Sequence, residues 1–134
     1  MKTKEIIILP YQNKRAHKEY LIKNEKIENW DQHPDHCSIS FEYNDEKDIR
    51  EFVKEKIDSL LNIDSNPNHF LNLGICQASK DSKKTYYLYC INISKLDYSF
   101  DEKEFEFITN EEILNNIDSQ LIVAYSRLEF LRFK

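Results

Sequence analysis

Apolar and polar positions along the chain alternate in short runs and in two longer helical stripes. Ile6 to Leu9 is a block of four apolar residues, too short for a helix, and it predicts a buried strand from Glu5 that ends at Pro10. The polar run Gln12 to Lys18 predicts a turn, and Tyr20-Leu21-Ile22 a second strand. Lys23 to Asp35 reads as a polar connection, with Trp30 as its anchor. Cys37, Ile39, Phe41 and Tyr43 then alternate with Ser38, Ser40 and Glu42, the period of a half-buried strand. From there the period changes. Ile49, Phe52, Val53, Ile57, Leu60 and Leu61 recur at helical spacing, with Glu51, Glu55 and Asp58 on the opposite face. This helix is expected to begin near Asp45, with Asn44 or Asp45 as its cap and Asp45, Glu46 and Asp48 at the positive end of its dipole.

Beyond the helix, Asn62 to Asn68 carries turn-forming residues, and Phe70–Ala78 and Thr85–Ile93 read as the two strands of a hairpin. The Tyr86-Tyr87-Leu88-Tyr89 run belongs to the second of these strands. An acidic connection, Ser94–Glu104, leads to a short strand at Phe105–Ile108. Thr109 to Glu112 has the spacing of a capping box for a short helix ending near Asn115 or Asn116. Asp118 or Ser119 can cap a final helix whose Leu121, Ile122, Tyr125, Leu128 and Leu131 form one stripe. No repeat, low-complexity tract or linker interrupts the order, so residues 1–134 read as a single domain.

Composition narrows the function classes. With 134 residues, 40% of them hydrophobic, the chain can bury a substantial core. The net charge of -5 is spread over interspersed acidic and basic residues, so no basic stripe is present to follow an extended nucleic acid. A small phosphorylated ligand is compatible with this surface when a divalent cation offsets the charge. No apolar run approaches the roughly 20 residues of a membrane span, and no secretory leader pattern opens the chain, so a cytoplasmic protein is expected. Three cysteines, an odd number in apolar settings, suit reduced and packed thiols. His33, His36 and Cys37 lack a fourth ligand at zinc-like spacing. Gly74 is the only glycine, which excludes a glycine-rich phosphate loop.

The segment His36 to Asp58 resembles the signature of the Nudix hydrolases: Gly, five residues, Glu, seven residues, then Arg-Glu-apolar-any-Glu-Glu-any-Gly-apolar. Glu42 stands seven residues before Arg50, and Arg50-Glu51-Phe52-Val53-Lys54-Glu55 follows. His36, Lys54, Ile57 and Asp58 occupy positions that the pattern gives to Gly, Glu, Gly and an apolar residue. The order of elements is similar over essentially the full length. The resemblance implies an α/β (α+β) architecture, a Nudix-like α/β/α sandwich with a mixed β-sheet.

The resemblance also implies chemistry. It makes the chain a metal-dependent hydrolase of nucleoside-diphosphate-linked compounds, with Arg50, Glu51 and Glu55 as catalytic residues. Glu51, Glu55, Glu42, Glu102 and Glu104 become ligands of Mg²⁺ or Mn²⁺, hard cations that prefer oxygen and share their shell with water and phosphate. Asp101 lies in the same loop as the last two. Lys54 opposes that expectation, because an ammonium in a carboxylate's place changes the local charge by two units; its alternatives are pairing with Asp58, pairing with a carboxylate partner of Arg50, or direct contact with a ligand phosphate. A catalytically inactive ligand-binding or protein-interaction module on the same fold is the other reading. The sequence assigns neither a protein partner nor an oligomeric state.

Overall fold

The computed structural model describes residues 3–15, 17–24, 36–77, 84–109, 111–112 and 119–132. Trp30, His33, Asp118 and the expected short helix after Glu112 lie outside them, as do the side chains of His36 and Leu121. Strands β1 (Thr3–Asn13), β2 (Lys18–Asn24), β3 (His36–Cys37) and β4 (Ile39–Tyr43) precede helix α1 (Ile49–Leu61). A 3-10 turn (Pro67–His69), β5 (Phe70–Gln77), β6 (Lys84–Asn92), β7 (Phe105–Thr109) and helix α2 (Ser119–Arg132) follow.

β1 is the axis of a mixed sheet. It runs parallel to β6 and antiparallel to both β4 and β2, while β5 pairs with β6, and β3 and β7 pair with β2. Pro10 does not end β1, contrary to the sequence expectation. On one side of β1, β4 pairs with Lys4 to Ile8 and β2 takes over at Tyr11. Pro10 falls between these two partners, where a missing backbone donor costs no ladder bond on that side.

Alternation along β1 sends side chains to two separate cores. Ile7 and Leu9 pack with Tyr20, Leu88, Ala124 and Leu128 beneath α2. Ile6 and Ile8 pack with Leu21, Val53, Ile57 and Leu61 beneath α1. The sheet is thus sandwiched between the two helices, which is the expected α/β/α arrangement. Val53, Ile57 and Leu61 are buried, and Ile49, Phe52 and Leu60 flank them half-buried.

Three expectations require correction. α1 begins at Ile49, not near Asp45, because Asp45 adopts φ 66°, outside the right-handed helical region. Asp48 is the cap, accepting a 3.0 Å bond from the Arg50 amide, while Asn44 accepts from Glu46 within the preceding turn. α2 is rotated relative to its apolar stripe: Ala124 and Leu128 are buried, whereas Ile122 and Leu131 are exposed. Tertiary contacts set that rotation. Tyr125 meets Tyr20 edge-on at 5.2 Å, and the Tyr20 hydroxyl donates to Glu129 at 2.6 Å. One half of the expected capping box is present, since Glu112 accepts from both the amide and the hydroxyl of Thr109 at 3.2 Å.

β5 contains a bulge between Asn72 and Gly74. Gly74 has φ 92°, its amide donates to the Asn72 side chain at 2.8 Å, and Arg127 of α2 donates to the carbonyls of Leu73 and Ile75 at 3.0 and 2.8 Å. A Cβ at Gly74 would stand 3.1 Å from the Arg127 guanidinium. The only glycine of the chain therefore serves the sheet edge, not a phosphate loop. The three cysteines are free, with Cys90 buried and Cys37 and Cys76 half-buried. Burial pushes the Cys90 thiol up to about 12, consistent with the packed thiol expected from its apolar neighbours.

Candidate functional site

The second half of the signature, Arg50 to Asp58, lies on the first three turns of α1, while His36 and Glu42 fall on β3 and β4. Residues 44–48 are held at two points independent of any ligand. Lys4 of β1 donates to both carboxylate oxygens of Asp45 at 3.0 and 2.8 Å, and the hydroxyl of buried Tyr43 donates to the Lys47 carbonyl. The Tyr43 ring in turn meets Phe52 edge-on at 5.1 Å, which ties this turn to the helix.

Arg50, Glu51 and Glu55 are exposed on α1. Glu51 and Glu55 stand one helical turn apart and project from one side, as the resemblance requires. Arg50 lies within electrostatic reach of Tyr89 on β6. Burial raises the pKa of Tyr89, and the Arg50 charge opposes that rise without cancelling it. Glu55 is already paired: the Lys47 ammonium donates to both of its oxygens at 2.6 Å.

Lys54 turns away from these glutamates. It donates to Asp58, four residues on, and to Asp64 at 2.9 Å, while the other Asp58 oxygen accepts the Ser65 amide at 2.9 Å. This network fastens the C-terminal half of α1 to the turn that follows. Burial pushes Asp58 up, but its bonds from Lys54 and Ser65 outweigh this and leave the carboxyl below its ordinary value. The bonds that Lys54 donates to Asp58 and Asp64 hold its own pKa above the ordinary value. Of the alternatives for Lys54, the structure selects pairing with Asp58.

The other expected ligands are elsewhere. Glu42 is exposed on β4 opposite Glu5, and both fall on the sheet face away from α1, where their charges help to raise the pKa of Lys84. Glu102 and Glu104 belong to the turn before β7. Asp101 is committed to that turn, its side chain accepting from the Lys103 amide and its carbonyl from the Glu104 and Phe105 amides. Asp101 and Glu104 line a cavity of about 370 Å³ with Phe41, Lys56, Ser59, Leu60 and Phe105. There Lys56 lies over the rings of Phe41 and Phe52 at 5.6 and 5.4 Å.

Among the described residues, no group of three or more His, Cys, Asp and Glu side chains is placed to hold a metal ion. The five glutamates therefore do not gather into one Mg²⁺ or Mn²⁺ site. A divalent ion held by Glu51 and Glu55 would also have to displace the Lys47 ammonium. Of the five, Glu51 and Glu55 stand within one helical turn of each other, and Glu55 is held by Lys47.

Sequence reasoning missed Lys47 and Asp64. Lys47 precedes the helix and meets Glu55 eight residues on only because the 44–48 turn folds back, so no periodicity announces the pair. It also missed an apolar margin. Among the described residues the exposed large hydrophobics are Leu71 and Ile75 on β5 and Ile122, Phe130 and Leu131 on α2.

No protein-family model matches the sequence, and no curated relative matches it. Solved structures do match. The C-terminal domain of mouse MUTYH, solved in complex with human PCNA, has a TM-score of 0.73 at 14% identity and covers 98% of this chain and 90% of its own. The NUDIX domain of Shewanella oneidensis NrtR, solved with ADP ribose, has a TM-score of 0.67 at 10% identity over 96% of this chain and 89% of its own. An Ap4A hydrolase of C. elegans has a TM-score of 0.59 at 13% identity over 96% and 98%. Identities this low speak for the fold alone. With a mixed sheet between α1 and α2 and these structural neighbours, the chain has the Nudix fold.

Proposed function

We propose that this chain is a Nudix-fold binding module, taking up a ligand or a protein partner without metal-dependent hydrolysis of diphosphates. One observation carries the reading: the carboxylates that would hold the catalytic cation are dispersed, and Glu55, central to that set, is bonded through both oxygens to Lys47. Exposed Phe130 and Leu131 of α2, which border Asn72 and Leu73 of β5, support an interaction role. Structural neighbours are consistent with binding as a use of the fold. The MUTYH domain was solved with PCNA and the NrtR domain with ADP ribose.

A second reading, a metal-dependent hydrolase, is favoured by Arg50, Glu51 and Glu55 standing exposed on α1 at signature spacing. Calorimetric Mn²⁺ titration and a phosphate-release screen on nucleoside-diphosphate-linked compounds separate the two. A binding module gives equally weak Mn²⁺ uptake in wild type and in Glu51→Gln/Glu55→Gln, and no turnover. Tight wild-type uptake that is lost in the double variant, together with release from any diphosphate, would overturn the proposal.

A further inference from the structure

We propose that Lys47 is a tethered counter-ion: its ammonium fills, on Glu55, the electrostatic role that a divalent cation fills in metal-dependent enzymes of this fold. The inference rests on the binding-module reading and deepens it by naming the group that keeps a metal out. Lys47 donates to both Glu55 oxygens at 2.6 Å, so it satisfies the carboxylate along the directions a bound ion would use.

An isolated exposed ion pair contributes little, because two long side chains must be ordered to form it. Here part of that ordering is done by the backbone. The Lys47 carbonyl accepts from the buried Tyr43 hydroxyl, Asp45 is clamped by Lys4, and Asn44 closes the turn on the Glu46 amide. None of these contacts uses the Lys47 side chain. The turn therefore presents the ammonium to Glu55 and should persist when the side chain is cut back. Lys54, although it occupies a signature glutamate position, is engaged with Asp58 and Asp64 and has no part in this neutralisation.

The two lysines are thus separable by experiment. Mn²⁺ affinity is measured at physiological ionic strength by calorimetry and by the loss of the free-ion paramagnetic resonance signal. The proteins are wild type, Lys47→Met, Lys54→Met and Lys47→Met/Glu55→Gln, each first checked for a cooperative thermal transition. Repulsion between an ammonium and a doubly charged ion about 4 Å away in water corresponds to about thirtyfold before screening. Screening brings the expected tightening in Lys47→Met to about threefold to tenfold. The gain should vanish in Lys47→Met/Glu55→Gln and be absent from Lys54→Met. Equal affinity in wild type and Lys47→Met, or an equal gain in Lys54→Met, would overturn the proposal. Failure of the underlying reading looks different: wild type itself would bind Mn²⁺ tightly before any lysine is removed.

Discussion

Replacing Gly74 by alanine tests how α2 is locked to the edge of the sheet. At φ 92° an alanine occupies a backbone region that L residues rarely adopt, at a cost of about 1–3 kcal/mol. The new Cβ would also stand 3.1 Å from the Arg127 guanidinium. A guanidinium at the end of a flexible side chain can withdraw, but withdrawal weakens its bonds to the Leu73 and Ile75 carbonyls at 3.0 and 2.8 Å. The bond to Ile75 is exposed and that to Leu73 part-buried, so water recovers part of the loss and this adds about 1 kcal/mol. The expected destabilisation of Gly74→Ala is about 2–4 kcal/mol. Urea unfolding followed by circular dichroism measures it as a lower midpoint with an unchanged slope. Repeating the substitution in an Arg127→Ala background isolates the contact, where Gly74→Ala should cost about 1 kcal/mol less. A cost below about 0.5 kcal/mol in the wild-type background would refute the strain argument. The same cost in both backgrounds would refute the contact with Arg127.

Two further outcomes follow from α1. Ile57 is wholly buried while Phe52 is half-exposed, so Ile57→Ala should cost about 2–5 kcal/mol and exceed Phe52→Ala, despite the larger side chain removed in the latter; the reverse order in urea unfolding would place the core elsewhere. Asp58 has its folded-state pKa lowered, so its contribution is present above the unfolded value and is lost as pH falls through the folded value. Wild type should therefore lose more stability than Asp58→Asn between neutral and acidic pH, as read from midpoints at each pH, and parallel losses would contradict the lowered pKa.

Local patterns made much of this molecule legible. Ile6 to Leu9 announced a buried strand because both faces of β1 are covered, and the stripe from Ile49 to Leu61 announced α1 because its period matches one packed face. The Lys54–Asp58 pair was within reach of reasoning, since four residues is one helical turn. What escaped depends on neighbours far away in the chain. The start of α1 is set by Asp45, whose positive φ accompanies its clamp to Lys4. The facing of α2 follows from Tyr20 and Arg127 contacts, not from where its leucines fall. At the candidate site the positions of Glu51 and Glu55 were readable from spacing. The cation opposite Glu55 was not, because a turn and not a helix brings Lys47 there.

The pairing of β1 with β6 bears on how the chain reaches this structure. Ile6 pairs with Tyr87 and Tyr11 with Asn92, each 81 positions apart, so the central ladder cannot form until most of the chain is available. Closing a loop of that length must precede any reward from the contacts, and parallel ladders of this kind form slowly. During synthesis the Ile6–Leu9 block emerges first and waits with both faces bare until β6 arrives. The β1–β2 and β1–β4 pairings are available earlier and can shelter one side of that strand in the interval. Substitutions that weaken β4 should then lower the yield of folded protein more than its stability, because they lengthen the time β1 spends as an exposed apolar strand.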